Sequence, residues 1–340
     1  MIKKISLKAP LFMAACMAFA LVLAGCGGSG SPAGPGIVNG GGNNGNGIPT
    51  FTVTFNSNGG TPVAPLTVPE GGRAARPIDP VGVPAAGLWY NARAFVEWQH
   101  GGTEWDFATT VTGDITLTAH WYGPAAQPVT GVPANDVGAA VTHVNSHASP
   151  ERAFTLAIGL PYVPSGNHWL NRSNANLTIV GFGGQREIRF NGEGFSLFEV
   201  TTENGGGVLD ASLTLGNGIT LRGLEHIGPL VYIRNASTFA MEDGSKITGH
   251  INTGGDGAAA GAVTIGGGST FYMRGGTITG NHADSGRSGE VAGVFVFDPG
   301  SLLNQTGGSI IGNTIGTGEY PNVRISVGAT RTGIGGEGNS

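Results

Sequence analysis

Charge is scarce in this chain of 340 residues: Asp, Glu, Lys and Arg together make up 11%. Lysine occurs only at positions 3, 4, 8 and 246, and cysteine only at 16 and 26. The formal net charge of −5 disfavours a nucleic-acid partner and docking on anionic lipid, since both need a basic surface. Two cysteines cannot build a disulfide framework or a thiolate-rich metal centre. The apolar run from Pro10 to Leu23 is too short for an ordinary membrane-spanning helix. A Gly-x-Ser-x-Gly nucleophile elbow, which would mark one class of hydrolase, does not occur. Glycine is the opposite case. Its 63 residues follow no three-residue period and interleave with Val, Ile, Thr and Phe, which points to many short strands joined by tight turns.

The first 25 residues read as a targeting segment. Lys3, Lys4 and Lys8 precede the apolar run, and Leu23-Ala24-Gly25-Cys26 closes it. That tetrapeptide resembles the bacterial lipobox, which implies cleavage between Gly25 and Cys26 and acylation of Cys26. Cleavage removes three lysines and Cys16, leaving 14 basic against 22 acidic side chains, a charge of −8. The remaining cysteine is then the lipidated one, and two or more acyl chains give stable anchoring. Residues 26–49 form the lipidated Cys and a Gly/Asn-rich tether, with a random-coil reach of roughly 25 Å.

The rest of the chain is organised around a repeat between Leu230 and Asn313. Val231-Tyr232-Ile233, Val263-Thr264-Ile265 and Phe295-Val296-Phe297 superpose at steps of 32, as do Phe239, Phe271 and Leu303. Ile247, Ile278 and Ile310 follow in phrases of one type, Gly-Ser-Lys-Ile-Thr-Gly-His, Gly-Gly-Thr-Ile-Thr-Gly-Asn and Gly-Gly-Ser-Ile-Ile-Gly-Asn. Leu197–Val200 maps onto Leu230–Ile233 at 33. Fixed-period self-similarity of this length is a solenoid signature. The pattern predicts a parallel β-helix over residues 150–328 with three short strands per coil, an apolar interior, and a polar stack of His250, Asn281 and Asn313. Residues 329–340 read as a tail.

Before the solenoid lie two further segments. Asn135-Asp136 followed by Val137, Ala140, Val141, Val144 and Ala148 at helical spacing predicts a short helix within residues 135–149. A solenoid must cover its open end, and capping is the role expected of this helix. Residues 123–134 read as a Pro/Gly linker. Residues 50–122 contain Phe51-Thr-Val-Thr-Phe55, the turn Asn56-Ser-Asn-Gly-Gly60, Trp98, Trp105-Asp-Phe107 and Asp114-Ile-Thr-Leu-Thr-Ala-His-Trp121. Tryptophans 98, 105 and 121, with Trp89 nearby, supply the bulk that so small a core needs.

These motifs resemble the Listeria–Bacteroides repeat, related to the internalin B-repeat, of bacterial surface proteins. The resemblance implies a β-grasp-like module serving as a surface spacer or adhesive unit. Val83 to Tyr90, rich in Ala, Gly and Pro, departs from the family pattern. The Gly-Gly-Thr-Ile-Thr-Gly-Asn phrase is similar to repeats of pectin-lyase-like right-handed β-helix proteins. The expected fold is thus mainly β: a small β-grasp-like domain, a short N-terminal capping helix and a right-handed parallel β-helix.

Enzymatic β-helices gather Asp residues with Arg or Lys on neighbouring coils. Here, of Asp210, Asp243, Asp256, Asp284 and Asp298, only the loop pair Asp256 and Asp284 comes near a shared register, 28 residues apart and so off the period, and Asn-Thr-Asp and Gly-His-Gly signatures are missing. Asp284, Arg287 and Glu290 form the least implausible acid/base cluster for a polysaccharide lyase or hydrolase. Gly254-Gly-Asp-Gly257 lacks the nine-residue period of a Ca²⁺ repeat, and Gly181-Phe-Gly-Gly184 lacks the helix a dinucleotide site needs. His143 and His147, four apart on a helix, have no third metal ligand and read as solvated. No metal or cofactor is expected. The loops Asn252–Gly261 and Ala283–Gly293 project from one side of adjacent coils, where solenoids build binding surfaces. Tyr272, Arg274 and Arg287 are the candidate ligand contacts.

The expected function is a non-catalytic, monomeric lipoprotein on the outer membrane or cell surface. It would serve adhesion or cell-envelope interaction, with a glycan or extracellular protein as ligand. The alternative is a carbohydrate-active β-helix enzyme.

Overall fold

The structure is a computed structural model that describes residues 48–202, 211–254, 261–284, 291–316 and 322–334. All of them belong to one compact unit, residues 41–340. Gly25, Cys26, Asp256, Arg287, Glu290 and the tether up to residue 47 lie outside the described residues.

The chain is mainly β. Its first part forms a five-stranded mixed sheet from β1 (Thr50–Asn56), β2 (Leu66–Pro69), β4 (Ala94–His100), β5 (Thr103–Glu104) and β6 (Ile115–Tyr122), with β3 (Gly87–Tyr90) standing apart. The order is β2-β1-β6-β4-β5, with β1 and β6 parallel at the centre and the other pairs antiparallel. This is a β-grasp-like sheet without a helix on it among residues 50–122. Alternation along β1 buries Val53 and Phe55, and Trp98 fills the space beneath them, 4.9 Å from Phe55 between ring centroids. Trp121 reaches this core through Phe95.

The second part is a parallel β-helix whose coils visit four sheets in turn. Sheet I stacks His168–Leu170, Phe198–Val200, Val231–Ile233, Val263–Ile265, Val294–Val296 and Val323–Ile325. Sheet II begins with β8 (Phe154–Ile158) and continues through Asn176–Gly181, Ser212–Leu215, Thr238–Met241, Thr270–Met273, Leu302–Gln305 and Thr330–Gly333. Sheet III runs from Tyr162–Ser165 to Ser309–Ile310, and sheet IV from Glu225–His226 to Thr314–Ile315. The expected three strands per coil are therefore joined, from Glu225 onward, by a fourth ladder of four two-residue strands. It forms because the chain must turn once more after the third strand before returning to sheet I.

The interior is a set of aligned apolar rows. Phe154, Leu177, Leu213, Phe239, Phe271 and Leu303 stack along sheet II, and Val163, Ile188, Leu221, Ile247, Ile278 and Ile310 along sheet III. All are buried in one continuous cluster. Each such side chain stabilises by about 1.5–3 kcal/mol relative to exposure, but only when the next coil covers it. At the far end the rows turn polar: Arg331 donates to Gln305 Oε1 at 2.8 Å inside the last coil.

One corner explains the repeated phrase. Gly249, Gly280 and Gly312 have φ of 70°, 67° and 66°, a left-handed turn that glycine makes without Cβ strain. Each presents the next residue to the interior, so His250, Asn281 and Asn313 are buried in register. Asn281 Nδ2 donates to Asn313 Oδ1 at 2.9 Å, and the backbone N–H of His250 donates to Asn281 Oδ1 at 3.1 Å. The row continues to Asn322, whose Oδ1 accepts from Asn313 Nδ2 at 3.0 Å. His250 breaks the amide series but stays in the network, its Nε2 donating to Gly228 O at 2.8 Å.

The register of sheet I differs from the sequence alignment at one coil. Val263 pairs with Val294 and Ile265 with Val296, a step of 31 rather than 32. A slip of one residue exchanges the two faces of a strand. Val294 and Val296 are buried inside, whereas Phe295 faces outward.

The N-terminal opening is covered by two different devices. Helix α1 (Val137–Ser146) is capped by Asp136, whose Oδ1 accepts from Ala139 N at 2.8 Å, and buries Val137, Ala140, Val141 and Val144 against the first coil. The free edge of sheet II is covered separately. Strand β3 pairs antiparallel with β8, setting Leu88 opposite Leu156, and β7 (Gln127–Pro128) pairs outside β3. Proline suits this last position because an edge strand needs no further donor. The segment that departs from the repeat pattern is therefore an edge cover for the solenoid, and the linker contributes a strand. Trp89 consequently leaves the repeat's aromatic core and packs with Val81, Val83, Ala157 and Val180 on the outside of sheet II.

Candidate binding surfaces

Tyr272 and Arg274 lie on or beside sheet II, because Tyr272 pairs between Ala240 and Asn304. The Arg274 guanidinium covers the Tyr272 ring at 5.4 Å, and its Nε donates to Glu242 Oε1 at 2.8 Å. The loops around 252–261 and 283–293 connect sheet IV to sheet I instead. The pair therefore sits on a different sheet from the strands that flank those loops, and Arg287 lies outside the described residues. Asp284 follows the strand His282–Ala283, its N–H donating to Asn252 O at 2.8 Å, while Glu290 lies outside the described residues.

What Glu242 does border is a cleft of about 470 Å³ between the repeat and the outside of sheet II. Arg76 and Asp79, paired at 3.0 Å, form one wall, and Thr178, Asn217, Glu242 and Asp243 the other. Elsewhere, His143 and His147 stack with ring centroids 3.9 Å apart beside a cavity of about 230 Å³. Burial lowers the pKa of His143, and the neighbouring His147 and Arg152 lower it further. Among the described residues there is no group of three or more His, Cys, Asp or Glu positioned for a metal ion.

Three solenoid carboxylates each engage arginine. Glu187 accepts from Arg222 at 2.7 Å and Arg189 at 2.9 Å; burial would raise its pKa, but these bonds and charges outweigh it and hold the group low. Glu199 pairs with Arg234, and Glu242 with Arg274. Glu187 lies on sheet III, Glu199 on sheet I, and Glu242 just beyond a sheet II strand. A glycosidase pair needs two carboxylates within about 5–9.5 Å across one bond.

Ser165 Oγ and His168 Nε2 share a hydrogen bond in the first coil. Burial pushes the His168 pKa down to about 4, against the opposing pull of Asp136. Ser165 is itself buried, so its hydroxyl is closed to a bulky substrate. The pair satisfies the polar end of the core beneath α1.

The outer face of sheet I carries the arrangement that sequence reading missed. Pairing places Trp169, Glu199, Tyr232, Thr264, Phe295 and Arg324 in one row, one per coil. Aromatics and polar residues alternate along it. Trp169 is 49% exposed, and Tyr232 and Phe295 are half-buried. Arg234 lies 5.5 Å from the Tyr232 ring and Arg324 5.2 Å from Phe295. At the Trp169 end a groove of about 500 Å³ opens against α1, lined by Thr142, Asn145, Asn167 and Asn171. Asn145 Nδ2 anchors the wall by donating to Trp169 O at 2.6 Å. The one-residue register shift concealed this row, since an alignment at 32 puts Phe295 inside and Val296 outside.

No helix among the described residues is long and apolar enough to cross a membrane. Residues 51–120, about a fifth of the chain, match the family model of the Listeria-Bacteroides repeat domain. That match suggests a surface or extracellular module. Comparison with curated proteins and with solved structures returns no match.

Proposed function

We propose that this chain is a non-catalytic surface lipoprotein that binds a glycan or extracellular protein in adhesion or cell-envelope interaction. Acyl chains on Cys26 anchor it at the outer membrane or cell surface, and the following tether holds the folded part away from the bilayer. The repeat and a right-handed, pectin-lyase-like solenoid act together as a stiff monomeric scaffold. The observation that carries this reading is the aromatic row on the outer face of sheet I, with Trp169 exposed and Tyr232 and Phe295 half-buried, on a surface whose backbone is engaged between coils. The arginine-paired carboxylates Glu187, Glu199 and Glu242 favour a binding role over acid/base catalysis.

The test uses the chain from residue 26 with Cys26→Ser, probed against arrayed glycans and extracellular matrix proteins. It is also incubated with pectins, alginates and glycosaminoglycans, with and without Ca²⁺. Saturable binding without product is the expected result. Release of unsaturated or reducing ends overturns the reading in favour of a polysaccharide-cleaving enzyme.

A further inference from the structure

The geometry points to a ligand class for the outer face of sheet I: we propose that it binds a neutral, linear β-linked polysaccharide lying along the solenoid axis. Trp169 is the exposed stacking platform, and Tyr232 and Phe295, half-buried with Arg234 and Arg324 against their rings, continue the row. This inference rests on the binding-module reading above and names its ligand.

The first argument is spacing. Trp169 and Tyr232 are two coils apart, as are Tyr232 and Phe295. Strands in register sit 4.7–4.9 Å apart, so the platforms recur at roughly 9.6 Å. That is close to the disaccharide repeat of an extended β-1,4-linked chain, in which every second sugar presents the same face. A pyranose ring has an apolar C–H face suited to an aromatic ring and equatorial hydroxyls suited to amides and hydroxyls. The row offers the rings, and the groove beside Trp169 offers Thr142, Asn145, Asn167 and Asn171. Asn167 Oδ1 is buried in that region without a hydrogen-bond partner.

The second argument is charge. Glu199 is neutralised by Arg234 on the same face, and the whole chain is net negative at −5. Arg324 ends the row over Phe295, so the face itself is not acidic, but the net-negative chain offers a polyuronate little attraction. The third is the backbone. Each inner strand of sheet I is paired on both sides by its neighbouring coils, so a peptide cannot add as a strand there. A ligand must use the side chains.

The test is affinity electrophoresis of the chain from residue 26 with Cys26→Ser, in gels containing barley mixed-linkage β-glucan, hydroxyethyl cellulose or polygalacturonate. Retardation by the two neutral polymers and not by polygalacturonate is expected. Trp169→Ala and Tyr232→Ala should each weaken binding about fivefold to tenfold, the range of one lost aromatic stacking contact. Tyr122→Ala, at an exposed site on the repeat, should leave it unchanged. Trp169→Tyr, which keeps a ring in place, should recover most of the binding and separates a lost platform from a lost fold. Full retardation of both Ala variants by β-glucan, or retardation only by polygalacturonate, overturns the proposal. Saturable binding to a matrix protein alone would leave the binding-module reading standing and sink this ligand class.

Discussion

Leu88 lies opposite Leu156 across an antiparallel pair, and both are buried in the core of the solenoid. Leu88 sits within the segment matched by the repeat family, whereas Leu156 belongs to the first coil. Packing thus joins the two parts through a strand that one lends to the other. Leu88→Ala should therefore destabilise the solenoid by about 2–5 kcal/mol, as expected for a buried leucine. The check is urea unfolding of Leu88→Ala and of the parent, followed by near-ultraviolet and far-ultraviolet signals. A solenoid transition unmoved by the substitution would contradict the shared core.

The buried amide row gives a second expectation. Asn281 supplies the acceptor for His250 N and the donor for Asn313 Oδ1. Asn281→Ala strands the His250 N–H away from water, at about 1–3 kcal/mol, while Asn313 Oδ1 keeps the bond from the backbone N–H of residue 281. Asn281→Asp keeps the acceptor for His250 but sets an acidic oxygen against Asn313 Oδ1. It should be destabilising at pH 7 and less so near pH 4. Urea midpoints of the two variants at both pH values decide this.

Acid should weaken the fold through buried imidazoles. Burial pushes His250 down to about 4, outweighing the bond to Gly228 that favours its charged form, and His168 is held at about 4 in the same way. An unfolded histidine takes up its proton near pH 6.5, while these two stay neutral until about pH 4. The unfolded state therefore binds more protons across that window, so stability falls as pH drops from 6.5 to 4. For His250 the effect is on the order of 3 kcal/mol. His250→Asn, which extends the amide row, should flatten the dependence between pH 7 and 4. Equal slopes for variant and parent would show that His250 does not contribute.

Thr264 offers a stabilising change. Its hydroxyl is buried between the Tyr232 and Phe295 positions and has no hydrogen-bond partner. Thr264→Val removes an unsatisfied polar group from a strand position that favours β-branched residues, and should gain about 1 kcal/mol. A lower urea midpoint for Thr264→Val would mean that the hydroxyl is satisfied in solution.

The solenoid was legible in the sequence because coil geometry imposes a period on inward side chains. Phe239, Phe271 and Leu303 align at 32 in both sequence and structure, as does the 31-then-32 step of Ile247, Ile278 and Ile310. The parts that escaped have physical reasons. Two-residue ladders such as Ile251–Asn252 carry no alternation to detect. Strand β3 is read as part of the repeat because its partner, β8, lies more than sixty residues further on. The aromatic row depended on a register that loops of unequal length shift by one residue. A step of 32 aligns Tyr232 with Thr264 but sets Val296, not Phe295, beside them, whereas the structure pairs Thr264 with Phe295.

Oxidative footprinting of the soluble chain, with and without barley β-glucan, tests the central claim most directly. Trp169 and Tyr122 are both exposed, at 49% and 77%, and both should be labelled in the free protein. The account predicts that β-glucan protects Trp169 and leaves Tyr122 labelled. Unchanged labelling of Trp169 at saturating β-glucan, with protection instead at Ile78 beside the inter-part cleft, would contradict it.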